Sequence, residues 1–135
     1  MNIIRGAALL YASVSVGVVA FQIALAAGVP WGEYAMGGAF PGRFPPALRI
    51  AALVQAMLLV ALAAIVMARA GLILNGRLRR AHWLVWIVVA FAAVGLVLNV
   101  ITQSGGERAI WAPVTLLLLL SSMIVAIKSA GDGRA

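Results

Sequence analysis

Long apolar runs, interrupted at three places by polar residues, set the plan of this chain. Residues 7–28, 47–68, 83–102 and 110–127 each stay apolar over about the 20 residues that a helix needs to cross a hydrocarbon core. The first run carries no charge and the second only Arg49, near its start. Lipid offers no partner to a backbone N–H or C=O, so spans of this length must be helices, and four of them cannot close a barrel. The expected fold is therefore an all-α membrane protein: a four-transmembrane-helix antiparallel bundle forming one domain over residues 1–135. A lid loop over 29–46 and a basic loop over 69–82 join the spans.

Composition supports this. The chain is 65% hydrophobic and 10% charged, where a soluble domain is nearer half apolar and a quarter charged. There is no cysteine, which excludes disulfides, thiol catalysis, iron–sulfur clusters and cysteine zinc sites.

Charge then orients the chain. Of its ten basic residues, Arg5, Arg69, Arg77, Arg79, Arg80, Lys128 and Arg134 fall on one side of the threading, and Arg43, Arg49 and Arg108 on the other. The positive-inside rule places both termini and the 69–82 loop in the cytoplasm, and the lid loop outside. The net charge of +7 is thus explained by topology, and nucleic acid is not an expected partner. Trp83 and Trp86 at the inner level, with Trp31 and Trp111 at the outer, form the aromatic anchors of a spanning bundle. Arg77, Arg79 and Arg80 are expected to contact anionic lipid headgroups. The expected location is a bacterial cytoplasmic membrane. The first apolar run is longer than a signal-peptide core and reads as a retained span. Small residues at Ala8, Ala12, Ala20, Ala24 and Gly28, and at Ala52, Ala56, Ala64 and Ala68, recur at multiples of four, a spacing that lets helix backbones approach.

Candidate chemistry gathers at the outer end. The stretch PWGEYAMGGAFPGRFPPALR, residues 30–49, holds four of the chain's five prolines and one of its three acids. Gln22, Gln55 and Asn99 come from three different spans at similar depth, and amides inside a bilayer are costly unless paired. Above them stand Glu33, Tyr34, Arg43, Arg49, Glu107 and Arg108. One reading joins these nine residues into a ligand site, where the arginine forks hold an anionic headgroup or small anion. The other has the amides bonding one another and the charges forming interfacial ion pairs.

Other motifs add local detail. Ser104 to Glu107 fits a capping box, which would make Glu107 a helix cap. Pro113 predicts a kink, or a short interfacial helix ending before it. The glycines of MGGAFPG lack the strand and the Gly-Lys-Ser/Thr of a phosphate loop. Phe40 and Phe44 are expected to anchor the lid to lipid or plug the bundle mouth. His82 stands apart from the carboxylates, so neither a metal site nor a cofactor is expected.

The elements PWGEYAMGG, FPPALR (Phe44, Pro45, Leu48, Arg49) and Asn99 to Pro113, with its ER and WAP, resemble a family of small four-span bacterial integral membrane proteins. The resemblance covers the two outer turns and implies the four-span fold. It carries no activity, cofactor or site residue. The chain does not resemble the small multidrug exporters, which place a carboxylate in the first span where this one has only Gln22. The leading expectation is a membrane protein without evident catalytic machinery. It would bind a lipid or a small anionic or amphiphilic ligand, or serve as an accessory subunit of a larger membrane complex. The alternatives are a small oligomeric transporter or channel and an enzyme at the outer interface. Membrane lipids, further copies of the chain or a larger membrane complex are the expected partners.

Overall fold

The computed structural model describes residues 2–132, and among these it contains helices and no strand. The elements are α1 (Ile3–Ala27), α2 (Pro46–Arg69), a short α3 (Gly76–Arg80), α4 (Trp83–Ile101) and α5 (Gly105–Asp132). Helices α1, α2, α4 and α5 are long and apolar enough to cross a membrane. Arg134, counted above with the basic side, lies outside the described residues.

Local chemistry explains where the helices stop. The Asn2 side chain accepts from the Arg5 N–H and caps α1, while Gly28 closes its other end in the left-handed conformation. Pro46 opens α2 at the first helical position, where a missing N–H costs nothing. Helix α5 starts well before its apolar run because Ser104 Oγ accepts from the Glu107 N–H at 3.1 Å and caps it. It continues through Pro113 as one helix, so no separate interfacial helix ends before that proline. Just beyond Pro113, the Thr115 hydroxyl bonds back to the Trp111 carbonyl at 2.7 Å.

The helices pack as two hairpins. Helix α1 lies along α2 and α4 along α5, and α1 and α5 join the hairpins; α2 and α4 touch only sparingly. The main core draws Tyr11 from α1, Leu62 and Val66 from α2, Val85 and Val88 from α4 and Val125 from α5. These residues fill the half of the bundle away from the lid. In lipid such contacts stabilise through close packing rather than escape from water. The alanine rows serve that packing in part: Ala8, Ala52, Ala56 and Ala68 are buried, whereas Ala20 is exposed.

Arg69 ties the basic end together. Its guanidinium donates to Ser129 Oγ at 3.0 Å, to the Ser129 carbonyl at 3.1 Å and to the Arg79 carbonyl at 2.8 Å, linking α2, α3 and α5. Asn75 caps α3, and Arg77, Arg79 and Arg80 are exposed there.

Candidate functional site

The lid between α1 and α2 is a folded object. The Gly32 N–H donates to the Gly42 carbonyl at 2.9 Å, drawing the loop's ends together. A Cβ on Gly32 would stand 2.0 Å from the Phe40 carbonyl oxygen, so no other residue fits. Gly32–Tyr34 and Met36–Gly38 form single 3-10 turns. Phe44 is buried beneath the loop with Leu25 and Ala52, whereas Phe40 is exposed. The aromatic that plugs the bundle mouth is thus Phe44.

Three hydrogen bonds hold this lid to the second hairpin. The Gly37 N–H donates to Glu107 Oε2 at 2.8 Å. The Ser104 hydroxyl donates to the Glu33 carbonyl at 2.9 Å. The Trp111 indole N–H donates to the Tyr34 carbonyl at 2.8 Å. Glu107 is buried, and its Oε2 also accepts from the Thr102 hydroxyl at 3.0 Å. The capping box is therefore half made: Ser104 caps the helix, but the Glu107 carboxylate is diverted to the lid.

Beneath the lid lies a cavity of ≈ 880 Å³, within the range of roughly 300–1,000 Å³ typical of small-molecule sites. All four long helices line it. Tyr11, Phe21 and Gln22 come from α1, and Leu48, Gln55 and Leu59 from α2. Phe91, Leu98 and Asn99 come from α4, and Glu107, Trp111 and Leu118 from α5; Tyr34, Met36 and Phe44 close it from the lid. The cavity is open rather than sealed. Val94 and Leu98, both lining residues, are more than half exposed on α4. Helices α2 and α4, which touch only sparingly, both contribute to its wall.

The nine residues expected to form one cluster divide into two groups. Gln22, Tyr34, Gln55, Asn99 and Glu107 meet in the cavity wall; Glu33, Arg43, Arg49 and Arg108 are not part of it. Arg49 folds back to donate from Nε to the Ala26 carbonyl at 2.8 Å, where a cation suits the negative end of α1. Arg108 donates to the Thr102 carbonyl, and Arg43 and Glu33 are exposed on the surface. Among the described residues, neither lysine, arginine nor histidine lines the cavity.

The three amides do not bond one another. Among the described residues, none of Gln22, Gln55 and Asn99 takes part in a side-chain hydrogen bond, yet no buried side-chain nitrogen or oxygen lacks a partner. Both facts hold because the amides are half-buried and face the open cavity. Trp111, expected as an interfacial anchor, is half-buried in the cavity wall, with the Phe21 ring set edge-on to it at 4.6 Å. Trp31, Trp83 and Trp86 are exposed.

Some lining residues carried no sequence signal. Tyr11, Phe21 and Phe91 read as generic span residues, and the Gly37 N–H is a backbone group that side-chain patterns do not reveal. No group of three or more His, Asp or Glu placed to hold a metal ion occurs among the described residues. No protein-family model, no curated protein and no solved structure matches the chain.

Proposed function

We propose that this protein is a small integral membrane protein that binds a lipid or other small amphiphile in the cavity beneath its lid. The observation that carries the reading is the set of three amides from three helices, all turned into one cavity and all free of protein partners. Polar side chains at bilayer depth are costly unless satisfied, and a ligand with a polar end would satisfy these. The wall is graded to match: amides and a carboxylate near the lid, then Tyr11, Leu59, Ala92 and Leu118 at the floor. An amphiphile presents the same gradient. The loose side between α2 and α4 gives such a molecule a route from the bilayer, and the packed valines of the basic half favour a binding site over a conduit. The threading with both termini in the cytoplasm and the lid outside, in a bacterial cytoplasmic membrane, belongs to this proposal and rests on the distribution of Lys and Arg.

Native mass spectrometry of the protein extracted in mild detergent tests the reading. A small amphiphile should be retained by the natural protein and lost when Gln22, Gln55 and Asn99 are all changed to leucine. A bare chain, or one bound only to another protein, would sink it and favour an accessory subunit.

A further inference from the structure

The charge of the cavity narrows the ligand. Resting on the lipid-binding reading, we propose that the cavity selects an amphiphilic organic cation, an alkylamine or quaternary ammonium head on an apolar body, with Glu107 as its counter-charge. The anion expected from the sequence needs a guanidinium in the wall, and the arginines stand elsewhere: Arg49 on the end of α1 and Arg108 on the Thr102 carbonyl. Among the described residues the wall instead holds one carboxylate and no cationic side chain.

Three features suit that carboxylate to a cation. The partners of Glu107 are neutral, the Gly37 N–H and the Thr102 hydroxyl, and both bond to Oε2. Among the described residues Oε1 accepts no hydrogen bond, yet no buried side-chain oxygen is left unpaired, so Oε1 is not fully enclosed by the protein. The carboxylate therefore keeps one oxygen for a donor or a cation from outside the protein. Aromatic side chains line the same cavity: Trp111, one helical turn along α5 from Glu107, together with Tyr34, Phe21 and Phe91. The Trp111 N–H is already committed to Tyr34, and the Phe21 ring against it limits how it can turn. Ring faces attract ammonium groups, more strongly as water is removed. The amides add adaptable acceptors for an N–H without adding charge.

The test compares heads on one tail. Octyltrimethylammonium, octylphosphocholine, octanol and octyl sulfate are each titrated against the protein in maltoside micelles, with binding to empty micelles subtracted. We expect octyltrimethylammonium to bind at least about tenfold tighter than octanol, and octyl sulfate to be the weakest. In Glu107→Gln the cation-to-octanol ratio should fall to within about twofold. The ratio isolates charge, because any loosening of the lid weakens both ligands alike. Gln103→Lys, an exposed change at the rim that is expected to fold normally, should also lower the ratio. Octylphosphocholine binding as tightly as octyltrimethylammonium identifies the natural source as a phospholipid head; preference for the bare cation identifies a free amine. Equal binding of cation and octanol overturns the proposal and leaves the amphiphile site standing. A ratio that survives both substitutions also overturns it. If no octyl ligand binds at all, the amphiphile reading itself falls.

Discussion

Glu107 in the first turn of α5 accepts a hydrogen bond from the backbone N–H of Gly37, 70 positions earlier in the chain. The lid made by the first hairpin is thus latched by the second. Hydrogen bonds to charged groups stabilise by about 1.5–3 kcal/mol. Glu107→Gln keeps the shape and a carbonyl acceptor but loses the charge. We expect it to raise hydrogen exchange at Gly37 and Gly38 by about tenfold while the helices keep their protection. Exchange unchanged at these two amides would show that the latch contributes little.

Gly32 should tolerate no side chain. In Gly32→Ala the new methyl must displace the Phe40 and Gly42 carbonyls, and with them the Gly32 to Gly42 hydrogen bond. The cost should exceed the ~1 kcal/mol typical of a point substitution and fall on the lid. Limited proteolysis between residues 30 and 45 should speed up several-fold, with little change in helix content by circular dichroism. A loop cleaved at the original rate would argue that the closed turn is not the populated form.

The arginines near the lid should separate in their effects. Arg49→Ala removes a charged cap from α1 and should lower stability by about 1–2 kcal/mol. Arg43→Ala, on an exposed side chain, should stay within about 0.5 kcal/mol. Neither should weaken an amphiphile in the cavity by more than about twofold beyond its effect on stability. Unfolding in mixed detergent–dodecyl sulfate micelles measures the first pair of values, and a ligand titration the rest. Loss of binding in Arg43→Ala would restore the anion-clamp reading.

Ala8 is wholly enclosed within the main core. Ala8→Leu should cost about 1–3 kcal/mol through overpacking, whereas Ala20→Leu, on an exposed face of the same helix, should be nearly neutral. The same unfolding assay decides. Equal effects would mean that the alanine row reflects composition rather than packing.

The four helices are legible in the sequence because spanning lipid demands a long apolar run, and nothing else in a chain of this size looks like one. Helix ends are less so: α5 begins at Gly105 on the Ser104 hydroxyl cap, outside its apolar run, and it passes a proline that pattern reading takes as a kink or a stop. The common depth of Gln22, Gln55 and Asn99 follows from counting residues along antiparallel helices, and they do share one wall. The destination of a flexible guanidinium cannot be counted in that way. Arg49 reaches Ala26 only because α1 and α2 meet where they do, and Trp111 is half-buried in the cavity wall because the lid offers it the Tyr34 carbonyl. Both depend on contacts between segments far apart in the chain, which hydropathy does not record.

The latch across two hairpins also has a direction in time. A chain is made from its N terminus, so α1, the lid and α2 leave the ribosome before α5 exists. Arg49 can fasten α1 to α2 within that early pair, since both partners are already present. Glu107, Ser104 and Trp111, which fasten the lid, are delivered only with the start of α5. Until α5 has been made, the first hairpin therefore has a cover with nothing to fasten it, and the cavity beneath the lid lacks the wall that α5 supplies.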